Sequence, residues 1–67
     1  MCQMSIVLKH DDKMEVILED AALLKVTEDG ILVNAMFEQP RLIKGVRISA
    51  IDFLNNRVTI TETPGKD

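Results

Sequence analysis

Turn-forming residues cut this chain into short runs at nearly regular intervals. No run between them is long enough for more than a strand. His10-Asp11-Asp12-Lys13, Glu28-Asp29-Gly30, Gln39-Pro40, Lys44-Gly45 and Asn55-Asn56 are the interruptions. Between them Val, Ile and Thr dominate, 17 of 67 residues, and β-branched side chains favour a pleated surface. Met4, Ile6 and Leu8 alternate with Ser5, Val7 and Lys9; Met14, Val16 and Leu18 alternate with Glu15, Ile17 and Glu19. These two runs form a first hairpin. Glu28-Asp29-Gly30 closes a second, between Leu24-Lys25-Val26 and Ile31-Leu32-Val33, because its glycine accepts a positive φ. Asn55-Asn56 closes a third, between residues 51–54 and Val58-Thr59-Ile60. The pattern predicts an all-β chain, a roll or SH3-like barrel of five or six strands. Residues 12–25 also fit a helix, with Met14, Ile17, Leu18 and Ala21 on one face and Asp12 with Glu15 as a capping box. The strand reading is kept for 14–18, with an irregular corner at 19–23.

A chain of 67 residues forms one domain, expected over 1–62, with a disordered tail at 63–67. A domain this small buries only about 60% of its unfolded surface. Its aromatic side chains are Phe37 and Phe53 alone, so the core must be aliphatic and thin. The expected core is Ile6, Leu8, Val16, Leu24, Val26, Ile31, Val33, Phe37, Ile48, Ile51, Phe53, Val58 and Ile60. A thin core favours a homodimer. Residues 31–37 are apolar on both faces, and Leu32 with Met36 would form the face a partner covers.

The net charge of −3 argues against nucleic acid, which selects basic domains. Uncharged runs reach only Met1–Leu8 and Gly30–Phe37, far short of the roughly 20 residues of a membrane span. The start lacks a basic segment followed by a long apolar one, and the one cysteine has no partner for an internal disulfide. A cytoplasmic protein that does not enter a membrane is the expectation.

Few side chains here support catalysis. A Cys–His pair would have to be Cys2 with His10, and nothing nearby orients that imidazole. Gly30, Gly45 and Gly65 are too scattered to cradle a phosphate. Asp11-Asp12 and Glu19-Asp20 read as solvated charges at turns or corners. No enzyme is expected. Cys2 differs because of its position. Removal of Met1 would leave an α-amine and a thiolate on one residue, which close a five-membered ring around a metal. With Met1 kept, the Cys2 amide nitrogen would serve only when deprotonated. Two chains about a two-fold axis would give an N,S set of four, suited to square-planar Ni(II) or Cu(II). Equally, Cys2 is a residue at a frayed end.

Met1-Cys2, Ser5-Ile6-Val7-Leu8, Asp11-Asp12, the run from Glu19-Asp20 to Val26, Phe37-Glu38 and Gly45-x-x-Ile48-x-x-Ile51-Asp52-Phe53 together resemble one small family. It is that of the CooT-type nickel-binding proteins, accessory to carbon monoxide dehydrogenase maturation, whose wider family was once labelled predicted RNA-binding. One departure is that Phe37-Glu38 lacks the glycine many relatives carry between those residue types. The resemblance implies a small β-rich homodimer whose metal ligand is Cys2, with one Ni(II) per dimer. It implies a metallochaperone-like role, and a nickel enzyme or its maturation proteins as partners. The alternative is a small β-barrel RNA-binding module. It rests on Arg41, Lys44 and Arg47, with no aromatic platform beside them.

Overall fold

The computed structural model describes residues 4–63 of the chain. These form six strands: β1 (Met4–His10), β2 (Lys13–Val26), β3 (Gly30–Ala35), β4 (Arg41–Lys44), β5 (Val46–Asp52) and β6 (Arg57–Glu62). The described residues contain no helix. Asp11 supplies the left-handed residue of the two-residue β1–β2 turn, at φ 51°, and Asn56 does the same before β6, at φ 54°.

The strands make one sheet in the order β4-β3-β2-β1-β6-β5. All neighbours are antiparallel except β1 and β6, which run parallel from Ser5 beside Arg57 to Lys9 beside Thr61. β4 and β5 are opposite edges of that sheet, yet Gly45 alone joins them. In a flat sheet five strand spacings of about 4.8 Å would separate them by roughly 24 Å. The sheet therefore curls until its edges meet at one corner, giving a half-barrel. Gly45, at φ 71°, turns that corner; its N–H donates to the Asp29 carbonyl and its carbonyl accepts from Thr63 N–H.

β2 produces the curl. Ile6 faces Leu18 while Val7 faces Val16, so Ile17 is an extra residue on β2. Further extra residues fall between Leu18 and Ala21 and at Ala22. Each bulge adds bend and twist. The first half of β2 pairs with β1, and the second half folds over to pair with β3. The irregular corner expected at 19–23 is thus a set of bulges inside one 14-residue strand, and the helical alternative for 12–25 is not adopted.

The core lies between the two halves of the curled sheet. Ile6, Leu8, Ala21, Ile31, Val33, Val46, Val58 and Ile60 are buried together, with Leu24, Ile43 and Ile48 half-buried against them. Five expected core residues are exposed instead: Val16, Val26, Phe37, Ile51 and Phe53. The bulge at Ile17 leaves Val16 opposite Val7, which packs outside the inner cluster. Val26 lies past the level of Ala21, where β1 begins, so no strand covers it on that side. Ile51 faces inward opposite Val58 but sits at the open end of edge strand β5. Phe37 and Phe53 occupy turns. Val7, Ala21, Ala35 and Val46 are buried although the pattern did not mark them.

Candidate functional site

Cys2 lies outside the described residues, as does the tail beyond Thr63. The described chain begins at Met4. Met4 opens β1 opposite Ala21, and Ser5 N–H donates to the Asn56 carbonyl at 2.8 Å.

Three elements of the fold converge there. Ala35 closes β3 beside Ala21, so the Met36–Pro40 turn leaves at this level. Asp52 pairs with Arg57, which neighbours Ser5, so the Phe53–Asn56 turn leaves at the same level. Between them opens an apolar cleft of about 80 Å³, lined by Met4, Ile6, Ala21, Ala22, Leu23, Leu24 and Val58. The two turns that leave at this level carry Met36, Phe37, Phe53 and Leu54, exposed by 57%, 100%, 80% and 91%. Both aromatic residues of the chain thus face solvent at the end where the chain enters the sheet.

Asp52 orders the second of these turns. Its Oδ1 accepts from the N–H groups of Leu54 and Asn55, each at 3.1 Å, and its Oδ2 accepts from Asn55 Nδ2 at 2.8 Å. The Asn55 bonds, aided by Leu54 N–H and the Arg57 charge, hold the carboxyl below its ordinary range against a small opposing effect of burial. Phe37 shapes the first turn. It holds φ at 65°, a left-handed backbone unusual for a bulky residue. Sequence reading missed these exposed turns because it assigned both phenylalanines to the core. The available signal was Asp52 followed by Leu54-Asn55-Asn56, a side-chain-capped turn.

His10 stands at the other end. β1 has seven residues, so about 20 Å separates its ends. Nε2 of His10 lies 3.5 Å from Glu15 and Nδ1 lies 3.5 Å from Glu62. The two carboxylates flank opposite nitrogens, so one metal cannot use both with the ring. Among the described residues no group of three His, Cys, Asp or Glu side chains could hold a metal ion. A thiolate beside a backbone nitrogen, which the sequence offers at Cys2, is a donor pair suited to a square-planar ion. Asp11-Asp12 forms the first turn, and Glu19-Asp20 is exposed on β2. Arg41, Lys44 and Arg47 are exposed along the edge strands β4 and β5. Arginine and lysine on sheet edges also discourage edge-to-edge pairing, and no described aromatic residue lies on either strand. No described helix is long and apolar enough to cross a membrane.

A six-stranded sheet curled into a half-barrel, open at the end where the chain enters, defines a small SH3-like β protein. The model of one family, CooT, the CO dehydrogenase accessory protein, matches residues 1–61. This chain belongs to that family. Its fold is similar to the crystal structure of a protein described as a CooT from Carboxydothermus hydrogenoformans. The TM-score is 0.82 at 27% identity, covering 94% of this chain and 100% of that one. No curated protein matches the chain.

Proposed function

We propose that this chain is a nickel-binding accessory protein, metallochaperone-like, serving the maturation of a nickel enzyme such as carbon monoxide dehydrogenase. Cys2 is the metal ligand, and one Ni(II) is held between two copies of the chain in the cytoplasm. The observation that carries this reading is membership of an accessory-protein family over residues 1–61, a span that includes the Met1-Cys2 start. Donor chemistry supports it. Each chain offers one thiolate and one adjacent nitrogen, half of a square-planar set, and a two-fold axis doubles the half.

Titration with Ni(II), followed by thiolate-to-nickel charge-transfer absorption, tests the proposal. The expected endpoint is half an equivalent of nickel per chain, with the bands abolished in Cys2→Ser. Full affinity in the serine variant would refute it.

A further inference from the structure

We infer that the free edge of β5 takes up an extended segment of a partner protein as an added strand, one whose residues alternate between acidic and apolar. That the occupant is a protein rests on the accessory role stated above; the edge itself involves no metal.

The backbone is the first observation. Successive residues of an edge strand alternate between bonding their neighbour and turning N–H and C=O away from it. Gly45 fixes the phase, since its N–H donates to Asp29 on the β3 side and its carbonyl accepts from Thr63 on the β6 side. Counting on from Gly45, Arg47 bonds across to Thr61, so Val46 and Ile48 turn their peptide groups outward. Among the described residues, no backbone bond outside the ladders reaches either of them. Such a row is a template for one more strand.

The side chains state which strand fits. Residues paired across a ladder share a face. Ile48 and Ile51 therefore point inward with Ile60 and Val58, while Arg47 and Ala50 point outward with Thr61 and Thr59. Ile51 is 45% exposed because no strand lies beyond β5. An added strand would cover it with an apolar side chain on the inner face. The next residue of that strand would fall on the outer face, beside Arg47. Successive side chains of a strand take opposite faces, so the sequence that satisfies both alternates.

Charge decides the polar half of the pattern. Arg41 and Lys44 precede the Gly45 corner and Arg47 follows it, all three exposed. Both ion pairs among the described residues belong to His10, so these cations stand unneutralised in a chain of net charge −3. Like charges repel a second copy of the same edge, and they attract a strand that carries carboxylates. Self-pairing is thereby disfavoured and an acidic partner favoured.

The test uses the full chain and a labelled peptide of about ten residues alternating glutamate and valine, long enough to span β5. Fluorescence anisotropy should show saturable binding that weakens as salt is raised. Nuclear magnetic resonance should place the amide shifts on residues 46–51. A lysine–valine peptide, and a glutamate–valine peptide methylated at every backbone nitrogen, should each bind at least about tenfold more weakly. Arg47→Glu should cost about tenfold as well, while Lys25→Glu, an exposed cation on β2, should change nothing. Equal affinity for the lysine or the methylated peptide overturns the proposal, and so do shifts centred on the Phe37 or Phe53 turns. Absence of binding at about 1 mM peptide overturns it too. Oligouridylate that shifts residues 46–51 when the peptide does not would assign the edge to RNA and overturn it. Peptide binding in a chain that takes up no nickel leaves this edge standing and removes only the nickel reading. Nickel uptake by a chain that ignores the peptide does the reverse.

Discussion

Asn55 donates twice to Asp52, through its backbone N–H to Oδ1 at 3.1 Å and through Nδ2 to Oδ2 at 2.8 Å. The pair turns a hairpin tip into a fixed platform and lowers the pKa of the Asp52 carboxyl. A lowered carboxyl contributes above its unfolded pKa and is lost as pH falls through its folded one. The amide signals of Leu54 and Asn55 should therefore hold steady from neutral pH down to about pH 4, where an ordinary aspartate titrates, and shift only below it. An inflection at about pH 4 or above in a nuclear magnetic resonance titration would show that the lock is absent.

Gly30→Ala should destabilise the chain. A Cβ at Gly30 would run into the Ile43 carbonyl on the paired strand β4, and φ of 156° is unfavourable for alanine. Overpacking against backbone costs about 1–3 kcal/mol. In a domain of this size, thermal denaturation should show Tm falling by roughly 5–20 °C.

Ile60→Ala removes a fully buried side chain that pairs with Leu8 on one side and Ile48 on the other. Such truncations cost about 2–5 kcal/mol, a large part of what a 67-residue domain has. Urea unfolding should show it. Val16→Ala, on the exposed outer face, should shift the midpoint little.

His10→Ala should leave nickel stoichiometry at half an equivalent per chain. His10 is at the end of β1 remote from Met4, where its two nitrogens face Glu15 and Glu62. Loss of the charge-transfer bands in this variant would move the metal to the Glu15–His10–Glu62 end.

Nickel affinity should fall as pH is lowered, because protons compete for the Cys2 thiolate and its nitrogen. Competition titrations at pH 6 and pH 8 measure this. Equal affinity at both would mean that no thiolate is involved.

The strands were legible because turn chemistry is local. Asp11-Asp12, Asp29-Gly30, Gly45 and Asn55-Asn56 all fall at strand boundaries, with three of those turns on left-handed residues. The facing of residues was less legible. Alternation assigned Val16 and Leu18 to one face, yet an extra residue at Ile17 puts Val16 outside and Leu18 against the core. A bulge is decided by pairing with β1, which a run of alternating residues does not encode. The phenylalanines failed for a related reason. Hydrophobicity argues for burial wherever a place exists, and only the curl determines which places exist.

The strand content comes from the sequence alone, and so does the proposal of Cys2 as a metal ligand. Cys2 is the one thiol in the chain, and sulfur chemistry needs no fold to be read. The β-branched runs and their turns act over a few residues, so their consequence is local as well. Tertiary structure decided the rest. Only the curl of β2 onto β3 brings the Met36–Phe37 turn, the Phe53–Leu54 turn and the start of β1 to one end. These segments are far apart in sequence. Their meeting depends on bulge positions and on a single-residue corner at Gly45, which are properties of the closed sheet and not of any segment.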